Sequence, residues 1–192
     1  MRELRQAKHN KWRALTRVSQ AGCLVAVAAM VALFAQPTRA AQEVAWKDQA
    51  GSGTKNWSTM ASSADGTKLV AAANAGSIYT SADSGVTWKE QTVTGLAGPQ
   101  KWTAVASSAD GTKLAVVGRN SKVYTSENSG ATWKEQANPG AKNWSSIASS
   151  DDGTKLAATV TDGSIYTSDD GGATWTESEN TGPNAWTAIA MS

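Results

Sequence analysis

Residues 57–91 read Trp57-Ser-Thr-Met-Ala-Ser-Ser63, Ala-Asp65-Gly66-Thr, Lys68-Leu-Val-Ala-Ala-Ala73, Asn-Ala-Gly76, Ser77-Ile-Tyr-Thr80, Ser81-Ala-Asp83-Ser-Gly85 and Val86-Thr-Trp-Lys-Glu-Gln91. The same succession returns at 102–136 and again from Trp144 to about Glu177. Each copy holds four short runs of strand length, here termed A, B, C and D. Gly, Asp, Asn and Ser separate them, which is how short strands are punctuated. Asp65-Gly66, Asp110-Gly111 and Asp152-Gly153 fall between A and B, and Asp-Gly is a strong hairpin signal.

The tryptophans set the period. Trp57, Trp102, Trp144 and Trp186 open the A runs at spacings of 45, 42 and 42 residues. Trp46, Trp88, Trp133 and Trp175 mark a second phase, at D. A repeat of this length made of four strands predicts an all-β propeller of four-stranded antiparallel blades. The apolar runs are thin: Leu69, Leu114 and Leu156 in B, and Ile78-Tyr79, Val123-Tyr124 and Ile165-Tyr166 in C. No blade buries enough surface alone, so the expected core lies between stacked blades that sandwich the indoles.

Three full blades are expected (57–101, 102–143 and 144–185), plus two single terminal strands. Gln42–Gln49, within a terminal segment 42–57, matches only a D strand, and 186–192 matches only an A strand. Closed propellers have four or more blades. Two readings stay open: an open arc cut from a longer propeller, or a homo-oligomer completing a composite ring.

Residues 1–40 read as a cleaved signal peptide ahead of the blades at 41–192. Arg2, Arg5, Lys8, Lys11, Arg13 and Arg17 precede the apolar stretch Gly22–Ala35, and Thr38-Arg39-Ala40 offers small residues for cleavage. That apolar stretch is shorter than the ~20 residues a membrane helix needs. Export to the periplasm, cell surface or medium is expected, with no transmembrane span after cleavage. His9 and Cys23, the sole His and Cys, leave with the signal. Residues 41–192 then hold 11 Lys/Arg against 15 Asp/Glu, a net charge of −4. Arg119 is their one arginine. No nucleic-acid footprint, Cys or His metal site, or cofactor is expected.

The C–D turn fits Ser-x-Asp-x-Gly-x-Thr-Trp at Ser81, Asp83, Gly85, Thr87 and Trp88, and at Ser168, Asp170, Gly172, Thr174 and Trp175. Ser126, Asn128, Gly130, Thr132 and Trp133 form the middle copy, with Asn for Asp. This motif resembles the Asp-box, or bacterial neuraminidase repeat, of β-propellers. The Ile-Tyr-Thr-Ser lead-in is similar to propellers of the photosystem II assembly-factor and sortilin types. Locally the box is read as structural: the carboxylate accepts turn amides, Gly supplies a positive φ and Trp packs between blades. Asn128 fits that role, because Asn keeps the turn but is neither acid nor base.

Up-down strand order puts the A–B and C–D turns on one face and the B–C and D–A loops on the other. The first face is nearly identical in all copies; the second varies. Lys55, Lys101 and Lys142, with Arg119 and Asp162, form the candidate binding face on the variable side, since loops on a rigid frame carry binding residues. No catalytic residue is assigned. A sialidase-type site needs three arginines around its substrate. Tyr79, Tyr124 and Tyr166 recur at one blade position, which reads as packing. The favoured reading is a secreted, non-catalytic binding module for a protein or glycan. The alternatives are a carbohydrate-active propeller, for which Asp162 and Glu177 are available but unpaired carboxylates, or an assembly factor of the photosystem II type.

Overall fold

The computed structural model describes residues 48–93, 96, 99–179 and 181–192. The expected signal and the strand around Trp46 lie outside them. Asp48 and Gln49, the end of that expected strand, are described and are not in a strand; they lead into a short 3-10 turn, Ala50–Ser52.

Three blades follow. Blade 1 is β1 (Trp57–Ser62), β2 (Leu69–Gly76), β3 (Ile78–Ser81) and β4 (Lys89–Gln91). Blade 2 is β5 (Gln100–Ser107), β6 (Leu114–Gly118), β7 (Val123–Ser126) and β8 (Lys134–Gln136). Blade 3 is β9 (Trp144–Ser149), β10 (Leu156–Gly163), β11 (Ile165–Ser168) and β12 (Thr176–Glu177). Each is an antiparallel meander with A and C flanking B, and D outermost. The fold is a partial β-propeller.

The ladder slips by one residue just after the first Trp of each A strand, between Trp57 and Thr59, Trp102 and Ala104, and opposite Trp144 and Ser146. Such a bulge turns the Trp and the residue three places on toward the same side. Trp102 and Val105 thus join one core cluster, and Trp144 and Ile147 the other.

Both clusters lie between blades. Val70, Ala72 and Ile78 of blade 1 meet Trp102, Val105, Leu114, Val116, Tyr124 and Trp133 of blade 2. Ala115, Val117 and Val123 on the opposite side of blade 2 meet Trp144, Ile147, Leu156, Ala158, Tyr166 and Trp175 of blade 3. A sheet face of small residues receives a face of aromatics, because adjacent strand residues point to opposite faces. Trp102 stands edge-on to Tyr124 at 5.8 Å, and Trp144 to Tyr166 at 5.4 Å, the geometry that ring quadrupoles favour.

Two expectations change. β2 and β10 run on through Asn74–Gly76 and Thr161–Gly163, which the sequence suggested as loops. The following blade's chain pairs with them there: Asn74 with Lys101, and Thr161 with Ala185. The lone A strand expected at 186–192 does not form, since no B strand among the described residues pairs with it; a two-residue strand, β13 (Asn184–Ala185), lies just before it.

The opposite ends of the blades bond differently. The A–B turn closes with Ser63 N–H donating to Lys68 O, and Gly66 takes φ 70. The neighbouring C–D turn docks on it: Ser84 N–H donates to Thr67 O, Ser129 to Thr112 and Gly171 to Thr154. Consecutive A–B turns join as well, Ala64 N–H to Ala109 O and Ala109 N–H to Asp151 O, each 2.7 Å. At the other end three indoles reach back to the preceding blade: Trp102 Nε1 donates to Gly76 O, Trp144 Nε1 to Ser121 O and Trp186 Nε1 to Gly163 O.

Candidate functional site

The residue after each A-strand Trp is Ser or Thr, and these residues ring the loop end of the inner strands. Ser58, Thr103 and Ser145 line a cavity of about 730 Å³ there, with Trp102 and Trp144, both almost wholly buried, behind them and the half-buried Trp186 beside them. Their hydroxyls are already used as donors: Ser58 to Ala72 O, Thr103 to Trp144 O and Ser145 to Thr159 O. What these hydroxyls leave to the cavity is therefore oxygen lone pairs. Asn74, Arg119 and Thr161 enter from the ends of the B strands, one from each blade, and Lys101 enters from β5. Arg119 N–H donates to Lys101 O at 2.9 Å, so the two cationic residues are fixed side by side along the backbone.

The structure separates the residues that the sequence grouped on this face. Lys101 and Arg119 line the cavity. Lys55 and Lys142 instead place their ammonium groups 4.8 Å over the rings of Tyr79 and Tyr166, a cation–π arrangement. Asp162 is exposed at the tip of the β10–β11 turn with φ 53, beside the cavity-lining Thr161. Sequence reasoning placed Asn74 and Thr161 in the loops of the variable face without singling them out, and it missed Ser58, Thr103 and Ser145. The recurrence of Ser or Thr after Trp was the available signal.

The tyrosines have partners. Tyr124 O–H donates to Glu135 Oε2 at 3.1 Å and Tyr166 O–H to Glu177 Oε2 at 2.8 Å. Burial, then the bond to Glu135, pushes the Tyr124 phenol up to about 12; burial and then the Glu90 charge raise Tyr79. Glu135 is lowered by its bond from Lys122 and then by Tyr124; Glu177 is lowered by Ser164 and then Tyr166. The bonded tyrosines orient these carboxylates. Glu177, one of the two carboxylates open to a glycosidase reading, is taken up in this way.

The C–D turns show the motif at work. In blade 3, Asp170 Oδ1 accepts from Ser168 Oγ and Thr174 N–H, and its Oδ2 accepts from Thr174 Oγ1. Ser168 Oγ in turn accepts Gly172 N–H at 2.9 Å. Ser81, Asp83, Gly85 and Thr87 repeat the set in blade 1. In blade 2, Asn128 Oδ1 accepts from Ser126 Oγ and Thr132 N–H, while its Nδ2 donates to Thr132 Oγ1 at 2.8 Å. Only the direction of the last bond is reversed. Among the described residues no group of three or more His, Cys, Asp or Glu is placed to hold a metal ion, and no helix is long and apolar enough to cross a membrane.

The sequence matches no protein-family model and no curated protein. The fold matches solved β-propellers. "YCF48 bound to D1 peptide" aligns with TM-score 0.55 and 17% identity over 65% of this chain and 40% of that one. A GH74 enzyme of Niastella koreensis aligns with TM-score 0.53 and 25% identity over 68% of this chain and 18% of its own. U3-55K aligns with TM-score 0.56 and 19% identity over 71% and 43%. The chain spans less than half the length of each. These likenesses define the chain as part of a β-propeller.

Proposed function

We propose that this chain is an exported, non-catalytic binding module on an Asp-box propeller scaffold. Its loop-face cavity holds an extended segment of a partner protein that carries a carboxylate. The observation that carries this reading is that Lys101 and Arg119, joined by a backbone bond, line one cavity together with the hydroxyl-bearing Ser58, Thr103 and Ser145. Two cations fixed by one backbone bond suit a carboxylate, and Arg adds a two-pronged donor. The likeness to YCF48, solved with a D1 peptide bound, supports the same class of ligand. Against catalysis stand the tyrosine–glutamate pairs, which recur as supports in successive blades.

A glycan ligand is the second reading. The half-buried Trp186, which also lines the cavity, and the likeness to a GH74 enzyme favour it. Peptide and glycan arrays probed with the purified protein separate the two. The expected hits are acidic peptides whose binding falls at least ~10-fold in Lys101→Ala and Arg119→Ala, the loss of one charge-assisted bond each. Binding of neutral glycans that both variants leave intact supports the second reading, and their hydrolysis overturns the non-catalytic one.

A further inference from the structure

The blade-to-blade interface has an unfilled copy. Blade 2 receives blade 1 on Trp102, Val105, Leu114, Val116, Tyr124 and Trp133. The repeat places Trp57, Met60, Leu69, Ala71, Tyr79 and Trp88 at the same positions of blade 1. They face away from blade 2. Met60 is 65% exposed where its counterparts Val105 and Ile147 are 7% and 6% exposed. Trp57, Met60, Leu69, Ala71 and Trp88 line an apolar hollow of about 500 Å³, with Gln49 and Ser52 at its edge.

At the far end, Ala157, Thr159 and Ile165 of blade 3 hold the positions of Ala115, Val117 and Val123, the face that blade 2 offers to blade 3. The chain's own residues 184–189 occupy part of this seat in the manner of an incoming inner strand. Trp186 Nε1 donates to Gly163 O as Trp102 does to Gly76 O. Ile189 N–H donates to Ser146 Oγ as Val105 N–H does to Thr59 Oγ1, both at 3.2 Å. This segment has no B strand behind it among the described residues. Two ladder pairs, these two bonds and the bond from Asn184 Nδ2 to Thr181 O tie it to the rest of the chain.

We infer that the blade 1 hollow is the docking surface for a second copy of this chain, which presents the outward face of its blade 3. Residues 184–192 of that copy give way, and Trp57 of the first copy donates to Gly163 O in place of Trp186. The occupant is chosen by continuity: the hollow is the aromatic half, and blade 3 the small-residue half, of an interface already built twice within the chain. β1 arrives backed by a full blade, so it brings the contacts the 184–192 segment lacks. An isolated exposed Met is ordinary, but one ringed by indoles at a repeat position buried elsewhere marks an interface.

The test is light scattering coupled to size exclusion on the purified protein, from micromolar to near-millimolar concentration. The expected result is a dimer of discrete mass. Met60→Glu should raise its dissociation constant at least ~100-fold, because a carboxylate would be buried unpaired. Met60→Leu should keep the dimer, and Trp186→Ala should tighten it by weakening the occupying segment. Since Met60 is exposed in the single chain, Met60→Glu leaves the fold in place, which circular dichroism checks. A monomer at every concentration, for the parent and Trp186→Ala alike, overturns the inference. So does a dimer indifferent to Met60→Glu, or a monomer in which oxidative footprinting finds Met60 protected by the chain's own residues.

Discussion

The two ends of the blades are built by one repeat and use their polar groups in opposite ways. At the turn end the groups satisfy one another. Asp65 accepts from Ser63 Oγ, Thr67 N–H and Thr67 Oγ1, and Asp110 and Asp152 repeat the set atom for atom. The C–D turns dock on these turns by backbone bonds. A side chain changed there disturbs a neighbour in the same blade or the next. At the loop end the corresponding positions are Asn74, Arg119 and Thr161, three different chemistries around one cavity. The lesson is that the repeat is held where turns bond to turns and is free to vary where it meets an open cavity.

The largest test of that contrast sits between the ends. Trp144 is fully buried, lies against Tyr166 and Trp175, and holds the loop end by its bond to Ser121 O. Trp144→Ala should cost about 3–5 kcal/mol in chemical denaturation, as for other large aromatics emptied from a core. Trp186 makes the same kind of indole bond but is only half buried, so Trp186→Ala should cost less than ~2 kcal/mol. Equal losses would mean that residues 184–192 belong to the core as firmly as β9.

Two glycines of matching backbone sharpen the comparison. Gly130 and Gly140 both have φ 84. A Cβ on Gly130, in the blade 2 C–D turn, would lie 2.7 Å from Thr80 Cγ2, whereas one on Gly140, in a loop-end connection, would meet nothing within 4 Å. Gly140→Ala should cost only the ~1–2 kcal/mol of left-handed backbone. Gly130→Ala should cost roughly 1–3 kcal/mol more, through overpacking between blades. A melting series over the two variants reads the difference.

Acid should act on the turn end. The carboxyls of Asp65, Asp110 and Asp152 are held down to about 2, chiefly by bonds from the preceding Ser hydroxyl; that of Asp170 is held to about 2, chiefly by Thr174. Asp83 is lowered too, by Thr87 first. A carboxyl with a lower pKa folded than unfolded stabilises the fold above the unfolded value, near 4, and that contribution is lost as pH falls toward about 2. The melting temperature should therefore drop between pH about 4 and about 2. Asn128 takes up no proton, so Asn128→Asp should steepen the fall; a curve flat over this window would show that the turn carboxylates add no stability.

The turn end was largely legible in the sequence, and the loop end was not. Asp, Gly, Ser and Thr at fixed offsets specify a turn through contacts two to five residues apart, so the three boxes could be read directly. The phase of the Trp pairs gave the core for the same reason. Other features depend on the next blade. β2 extends through Asn74 because Lys101 pairs with it, and the slip after Trp57 is visible only in the ladder. Lys55, Lys101 and Lys142 look alike in sequence, yet only the first and last lie over a tyrosine.

That divergence gives the smallest predicted stability effect and the sharpest functional one. Lys101 and Arg119 are exposed, and their fixed contact is made by backbone atoms, which a side-chain truncation leaves in place. Lys101→Ala and Arg119→Ala should each change unfolding free energy by no more than about 0.5 kcal/mol, the range of surface positions without special contacts. Lys142→Ala should cost slightly more, about 0.5–1 kcal/mol, because it strips a cation from the Tyr166 ring. Ligand binding should rank them the other way, with the two cavity residues losing affinity and Lys142→Ala keeping it. If all three lose affinity alike, the binding surface extends from the cavity out over the tyrosine rings, and the division between supporting and binding cations fails.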